Sequence, residues 1–364
     1  MIPLSVLDLS PVLAGVPESH ALRHSLALAQ AADRLGYRRY WLAEHHNIPS
    51  VVSTAPEILI GHVANHTSRI RVGSGGIMLP NHSPLHIAEV FRVLEALHPG
   101  RIDLGLGRAP GSNSITALAL RRSRSRLAVD DFPELIDELI GYGENHLPAD
   151  HPYAPVHALP EDVPLPPLWI LGSTEDGAAI AAGKGLRFAF AHHINPDSLL
   201  DAARVYRERF QPSKSLDRPV MMLAIAAICA ENDTQAQRLA ATTGLAWLRL
   251  RTGQPAPLAS PEEALAYPYT PAERQIVKAS RRHFVAGDPA SIRERVEEWV
   301  AVTGADEVMV TTMVYEPRDR LRSYELLAEA FELRPPSPEK NDPQNMQPTR
   351  NASTDYTDHP HGSG

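Results

Sequence analysis

One cysteine, Cys229, stands among the 364 residues. A lone thiol closes no intrachain disulfide, so a reducing compartment is compatible with this chain. It lies in "MMLAIAAICA", where a small buried hydrophobe is the expectation rather than a nucleophile. Long apolar runs are missing too, and none approaches the roughly 18 residues a membrane-spanning helix needs. The opening "MIPLSVLDLS" has neither the basic region nor the apolar centre of a signal peptide. These absences lead us to expect a soluble cytoplasmic protein with no membrane partner. Positive charge is also short. The formal net charge is −8, whereas binding a nucleic acid requires clustered Lys and Arg, so no nucleic-acid partner is expected. The densest basic stretch, "RRSRSR" at 121–126, reads as a solvated helix face rather than a phosphate or RNA patch.

What is present is ordinary for a globular enzyme: 43% hydrophobic and 21% charged residues. Short runs rich in Val, Ile, Leu and Tyr alternate with stretches whose apolar residues recur three and four apart. The runs predict strands at 4–9, 38–43, 70–75, 101–106, 168–172, 187–192, 220–228 and 307–312. Helical stretches lie between them, including 19–36 and 233–251, with Ser19 and Asp197 as capping residues and Gly36, Gly100 and Gly185 at helix ends. Strand–helix units in regular succession predict an α/β fold, a TIM (β/α)8 barrel formed as one domain over 1–334. A doubly wound open sheet is the competing architecture. Residues 251–283, rich in proline, form an insertion between the seventh and eighth predicted strands, where a lid or substrate collar is expected. Residues 335–364 contain no Val, Ile, Leu, Phe or Trp and are expected to form a disordered tail.

A barrel of this kind collects reactive groups at the C-terminal ends of its strands. Asp8, Ser10, residues 44–47, Ser74, Gly75, Gly76, Gly107, Arg108, Ser173, His192 and His193 fall there. "GLGRAPG" has the wrong spacing for a dinucleotide-binding loop and follows the fourth strand, so a Rossmann reading fails. Its Arg108 is a permanent cation among small neighbours. Ser173 and Thr174 lead into a helix whose free N–H groups suit an anion. Together with Arg108 they make a phosphate site, whereas each alone reads as a salt bridge or a plain cap. In "VGSGGIMLP", Ser74, Gly75 and Gly76 allow a bulge or a flat cofactor against the backbone. Adjacent histidines do not share a face, and no spaced H-x-H pair of a metal-dependent barrel hydrolase occurs, so no metal is expected. One of His45 and His46 reads instead as an acid–base group that the neighbouring Glu44 tunes.

The motifs "EHH", "GSGGIMLPNHSP" and "PGRIDLGLGRAPG" resemble those of the bacterial luciferase-like flavin monooxygenases, and the resemblance runs over roughly residues 1–333. It implies a TIM barrel that binds reduced FMN or, in some branches, the deazaflavin F420. It places His45 on the family's acid–base histidine, with Glu44 beside it. Gly75 and Gly76 fall where the family has a non-prolyl cis peptide behind the flavin ring. Arg108, Ser173 and Thr174 fall on the phosphate site, and His46, His192 and His193 nearby as substrate contacts or supports. The implied chemistry is a two-component reaction: a separate flavin reductase supplies reduced FMN, and O2 forms a C4a-hydroperoxyflavin that oxygenates a small organic substrate. Met78, Phe190 and Ile194 are expected to line an apolar substrate pocket. The alternatives are an F420-dependent hydride-transfer oxidoreductase, a non-catalytic flavin-binding partner and a metal hydrolase. The family resemblance also implies a possible homodimer.

Overall fold

The computed structural model describes residues 2–109, 111–122 and 131–334. The predicted tail at 335–364 and residues 123–126 of the basic stretch lie outside them. The strands are β1 (Leu4–Asp8), β2 (Arg39–Leu42), β3 (Arg71–Ser74), its short continuation β4 (Ile77–Met78), β5 (Ile102–Gly107), β6 (Leu168–Gly172), β7 (Arg187–Ala191), β8 (Met221–Cys229), β9 (Phe284–Gly287) and β10 (Glu307–Thr311). Hydrogen bonding runs in the order β10-β1-β2-β3-β5-β6-β7-β8, and β8 pairs back to β10. Every pairing is parallel, with Val6 opposite Tyr40 on one side and Val310 on the other. The sheet is thus a closed eight-stranded TIM barrel, and each predicted strand occupies its place within one or two residues. Two short strands went unpredicted. β4 carries the line of β3 past a cis Gly75–Gly76 bond to pair with β5. β9 pairs with the far end of the nine-residue β8, beyond the barrel wall.

Alternation along the strands decides what fills the barrel. Leu7, Trp41, Trp169, Ala189, Met222 and Met309 point inward and form an apolar plug, in which Trp41 and Trp169 meet edge to face at 5.4 Å. Beneath the plug, Arg39 bridges Asp103 at 2.6 Å and Glu307 at 3.0 Å, while Arg71 reaches Asp103 at 2.7 Å. The intervening residues, such as Val6, Tyr40, Val72, Leu104, Phe188 and Val310, face outward and bury against the helices.

Asp8 lies on the outward side of β1 and belongs to this wall rather than to the rim chemistry expected of it. Its carboxylate takes Arg320 Nη2 at 2.7 Å, the Ser10 N–H at 2.8 Å and the Tyr40 hydroxyl. Arg320 also donates to the Thr312 carbonyl at 3.0 Å, which fastens the final helix, Pro317–Ala330, across the seam between β1 and β10. The predicted caps are corrected as well. Glu18 precedes the Ser19–Leu35 helix, and Asp197 sits inside a short 3-10 turn, Pro196–Ser198. Side-chain caps occur instead at Asn113, Asn232, Ser260, Thr270 and Asp288.

The 251–283 insertion is folded. Its two helices, Pro261–Ala266 and Pro271–Ser280, begin with complete capping boxes, and Ala259 and Ala264 pack on Leu245 and Leu248 of the Asp233–Arg251 helix. Leu258 exchanges backbone hydrogen bonds of 2.8 Å with Val12 and Ala14, which pins the insertion to the loop after β1. Among the described residues no helix is long and apolar enough to cross a membrane.

Burial alone would raise the Asp8 pKa, but Arg320 and the hydrogen bonds hold it below the usual carboxylate value. A depressed folded-state pKa contributes stability above the unfolded value of about 3.9 and loses it as pH falls through the folded value. Arg320→Ala should therefore lower the unfolding free energy at neutral pH by about 3–5 kcal/mol, because it strands a buried charge. Urea denaturation reads this directly, and an unchanged midpoint and slope would show that the pair contributes nothing.

Candidate active site

The plug stops short of the strand ends, leaving a cavity of about 590 Å³ at the C-terminal mouth. That volume lies within the range of small-molecule sites. Leu7, Trp41 and Met309 floor it, and His45, Gly75, Met78, Gly107, Arg108, Ser173, Thr174, His193 and Ile194 line its walls. The rim residues singled out in the sequence therefore meet in one place, with exceptions that strand geometry explains.

Trp41, Ala43 and His45 share the inner side, so Glu44 between them turns away. Glu44 is 1% exposed and does not line the cavity as a catalytic carboxylate would. It accepts the Met78 N–H at 2.8 Å and contacts His46 Nε2 at 2.8 Å and His82 Nε2 at 2.9 Å. Glu44 and His46 thereby tie the loop after β2 to β4 and to the 3-10 turn that follows it. Ser74 is likewise structural, since its hydroxyl pairs with the Gly105 N–H at 2.9 Å and carbonyl at 2.8 Å. A Cβ on Gly76 would sit 2.8 Å from the Gly105 carbonyl, so this glycine serves the close strand approach rather than the cavity wall. His192 and Phe190 also face outward. The His192 ring packs 4.5 Å from Trp299, and Phe190 belongs to the core between sheet and helices, so neither contacts a substrate in this cavity. His193, one residue on, points in.

Sequence reasoning missed Arg121. The Ser114–Arg121 helix, capped by Asn113, returns over the mouth and brings Arg121 into the cavity lining, with its Nε donating to Asn81 at 3.1 Å. The basic character of 121–126 was the available signal, but no local pattern tells a cavity-facing arginine from a solvated one.

The cavity has two distinct ends. Arg108, 41% exposed, lies 3.8 Å from Asp176 and joins Arg121, Ser173 and Thr174 at the outer end. Thr174 starts the Glu175–Gly183 helix without a side-chain cap bond, so the helix's first N–H groups are left for an anion. Gly177 and Gly172 press this turn onto β6, and a Cβ on either would meet the other's Cα at 3.2 Å. The inner end carries the imidazoles. Burial pushes His45 below the usual histidine range, against the opposing effect of a hydrogen bond with the Gly111 backbone, and among the described residues its buried Nδ1 meets no hydrogen-bond partner. Burial also lowers His193, whose Nδ1 lies 3.1 Å from the Ala224 carbonyl. That contact makes Nδ1 the protonated nitrogen and leaves Nε2 as an acceptor. Among the described residues no group of three or more His, Cys, Asp or Glu side chains is disposed to hold a metal.

A second cavity, of about 810 Å³, adjoins the first and shares Leu9, His45, His193 and Ile194 with it. The insertion supplies its far wall through Pro255, Leu258 and His283. The His283 ring stacks on Trp247 at 4.4 Å, and its Nδ1 lies 3.2 Å from the His193 carbonyl.

The family model described as luciferase-like monooxygenase matches residues 3–307. The chain belongs to the luciferase-like monooxygenase family. It is 41% identical over 331 residues to a luciferase-like monooxygenase of Escherichia coli K12, covering 91% of this chain and 97% of the relative. An N-acetyl-S-alkylcysteine monooxygenase of Bacillus subtilis is 32% identical over 332 residues, covering 91% and 98%. The crystal structure of apo-MsnO8 superposes with a TM-score of 0.84 at 40% identity, over 92% of this chain and 98% of that one. This luciferase-like monooxygenase is accordingly an oxidoreductase built on the barrel its sequence predicts.

The Glu44 cluster generates a titration test. Burial alone would raise Glu44 and lower His82, yet their mutual contact reverses both, leaving the carboxyl below and the imidazole above its ordinary value. The pair therefore stabilises most between those two pKa values. Its contribution is lost below the Glu44 value as the carboxylate protonates and above the His82 value as the imidazole deprotonates. Glu44→Gln should return the His82 titration, followed by NMR, to about 6.5 or lower. A His82 pKa that does not move would mean the contact is absent in solution.

Proposed function

We propose that this luciferase-like monooxygenase uses reduced FMN, delivered by a separate flavin reductase, and O2 to oxygenate a small organic substrate with an apolar body. One observation carries this reading: the described residues lining the first cavity include two arginines, Arg108 and Arg121, against one carboxylate, Asp131, together with Ser173 and Thr174 at a helix start and an apolar floor of Leu7, Trp41 and Met309 near His45. That polarity suits a phosphate joined to a flat ring system. The fit extends to the walls. A Cβ on Gly75 would lie 2.6 Å from the Leu7 Cδ1 and 3.1 Å from the Trp41 Cβ, and one on Gly107 would lie 2.9 Å from the end of Met78, so a side chain at either position would displace these lining residues.

Bound reduced FMN supplies two electrons, so that one atom of O2 enters the substrate and the other leaves as water. The remaining work belongs to the side chains. Arg108, with Ser173, Thr174 and the helix N–H groups, holds the phosphate. Met78 walls the first cavity and the insertion walls the adjoining one, which limits the water that would otherwise compete for reactive oxygen. His45 is neutral at pH 7 because burial disfavours its cation more than a hydrogen bond with the Gly111 backbone favours it. It is the group placed to take a proton from the reacting centre and return it. The N-acetyl-S-alkylcysteine monooxygenase among the relatives, as named, acts on compounds with an apolar S-alkyl arm. The second cavity offers room for such a body beside the flavin.

Two substitutions test the assignment. Arg108→Ala should weaken anaerobic binding of reduced FMN by about 10- to 100-fold, the range of a lost charge-assisted hydrogen bond. Unchanged affinity would place the phosphate elsewhere. His45→Ala should bind reduced FMN normally yet form product at least about a hundredfold more slowly, as expected for lost acid–base help. Undiminished product would remove His45 from the mechanism, and F420 reduction without O2 uptake by the unmodified protein would replace oxygenation with hydride transfer.

A further inference from the structure

We infer that the second cavity selects an organic anion, with an apolar body held between Trp247 and Leu258 and an anionic end at Arg251. The inference names the substrate class for the monooxygenase reading above and rests on it. Among the described residues lining this cavity Arg251 is the one permanent charge, and no carboxylate side chain faces it. Arg251 ends the Asp233–Arg251 helix and is exposed, so it stands at the solvent edge, whereas His45 and His193 stand where the two cavities join. The polarity of a ligand follows from that layout. An apolar chain gains by leaving water for the wall of Trp247, Leu258, Ile228 and Phe284. Its anion keeps part of its hydration at the rim and gains a guanidinium partner there, while the uncharged end reaches the imidazoles and the flavin site.

Thr311, at the C-terminal end of β10, also lines this cavity, but its hydroxyl is buried, so recognition falls to Arg251 and the apolar wall. Nearby His283 adds no second cation. Burial and the neighbouring Arg282 and Arg251 hold its pKa down, and its Nδ1 is committed to the His193 carbonyl. Selectivity for an anion therefore depends on Arg251.

The test measures binding to the full-length protein without flavin, by calorimetry, with octanoate, 1-octanol and octyltrimethylammonium as probes. Octanoate should bind about tenfold more tightly than octanol, as an arginine–carboxylate pair implies, and the cation most weakly. Arg251→Gln should erase the preference for octanoate while leaving octanol unchanged, and Arg251→Lys should restore part of it. Ala246→Trp, which places an indole in the cavity, should weaken both probes. Equal binding of octanoate and octanol by the unmodified protein would overturn the inference, as would octanoate affinity that survives Arg251→Gln in a protein of unchanged melting temperature. Such a failure leaves the flavin reading intact, because the reduced-FMN titration of Arg108→Ala decides that separately.

Discussion

Consecutive side chains on a barrel strand cannot both enter the barrel, and that constraint organises the site. Where β2 ends, it sends His45 into the cavity and Glu44 into the wall. Beyond β7 it sends His193 inward and His192 onto Trp299. The doubled imidazoles are thus not a cluster. Each pair supplies one group that meets the cavity and one that secures the strand end carrying it. The same rule separates Gly75, which lines the cavity, from Ser74, which fastens β3 to β5.

Charge buried around the barrel keeps these strand ends in place. Arg39, Asp103 and Glu307 link β2, β5 and β10 below the apolar plug, and Asp8 with Arg320 binds the last helix over the first strand. Nearer the mouth, Glu44 joins His46, His82 and the Met78 N–H. Such pairs are poor sources of net stability but costly to break singly, so they favour one geometry over its neighbours. A site proposed to hold a ring and a phosphate at a fixed separation benefits from that rigidity.

Most of the barrel was legible in the sequence, because strand runs such as 187–192 and the helical period of 233–251 are local signals. The shared rim was legible too, since His45, Gly75, Arg108, Ser173 and His193 all fall at strand ends. What escaped depends on distant neighbours. β9 exists because β8 outruns the barrel and offers a free edge. Arg121 faces the cavity because its helix folds back across the mouth. Glu44, His192 and Phe190 were placed by residue type, although strand alternation already assigned them to the outer side. The insertion read as a lid or substrate collar from its length, its proline content and its place between two strands; its capping boxes and its bonds to Val12 and Ala14, which depend on folded neighbours, make it a wall of the second cavity.

The proposed function rests on the junction of two cavities at His45 and His193, the first lined by Arg108 and Arg121 and the second apolar, with Arg251 as the permanent charge among its described lining residues. Its first requirement is that the cavity beside Arg108 takes a phosphorylated ring, as proposed. Anaerobic titration with reduced FMN and, separately, with reduced riboflavin tests it most directly, because the two ligands differ only by the phosphate. The account predicts binding of FMN at least about tenfold tighter, with the gap shrinking as salt screens the arginine contacts. Equal affinity for the two, or no binding of either, would contradict it.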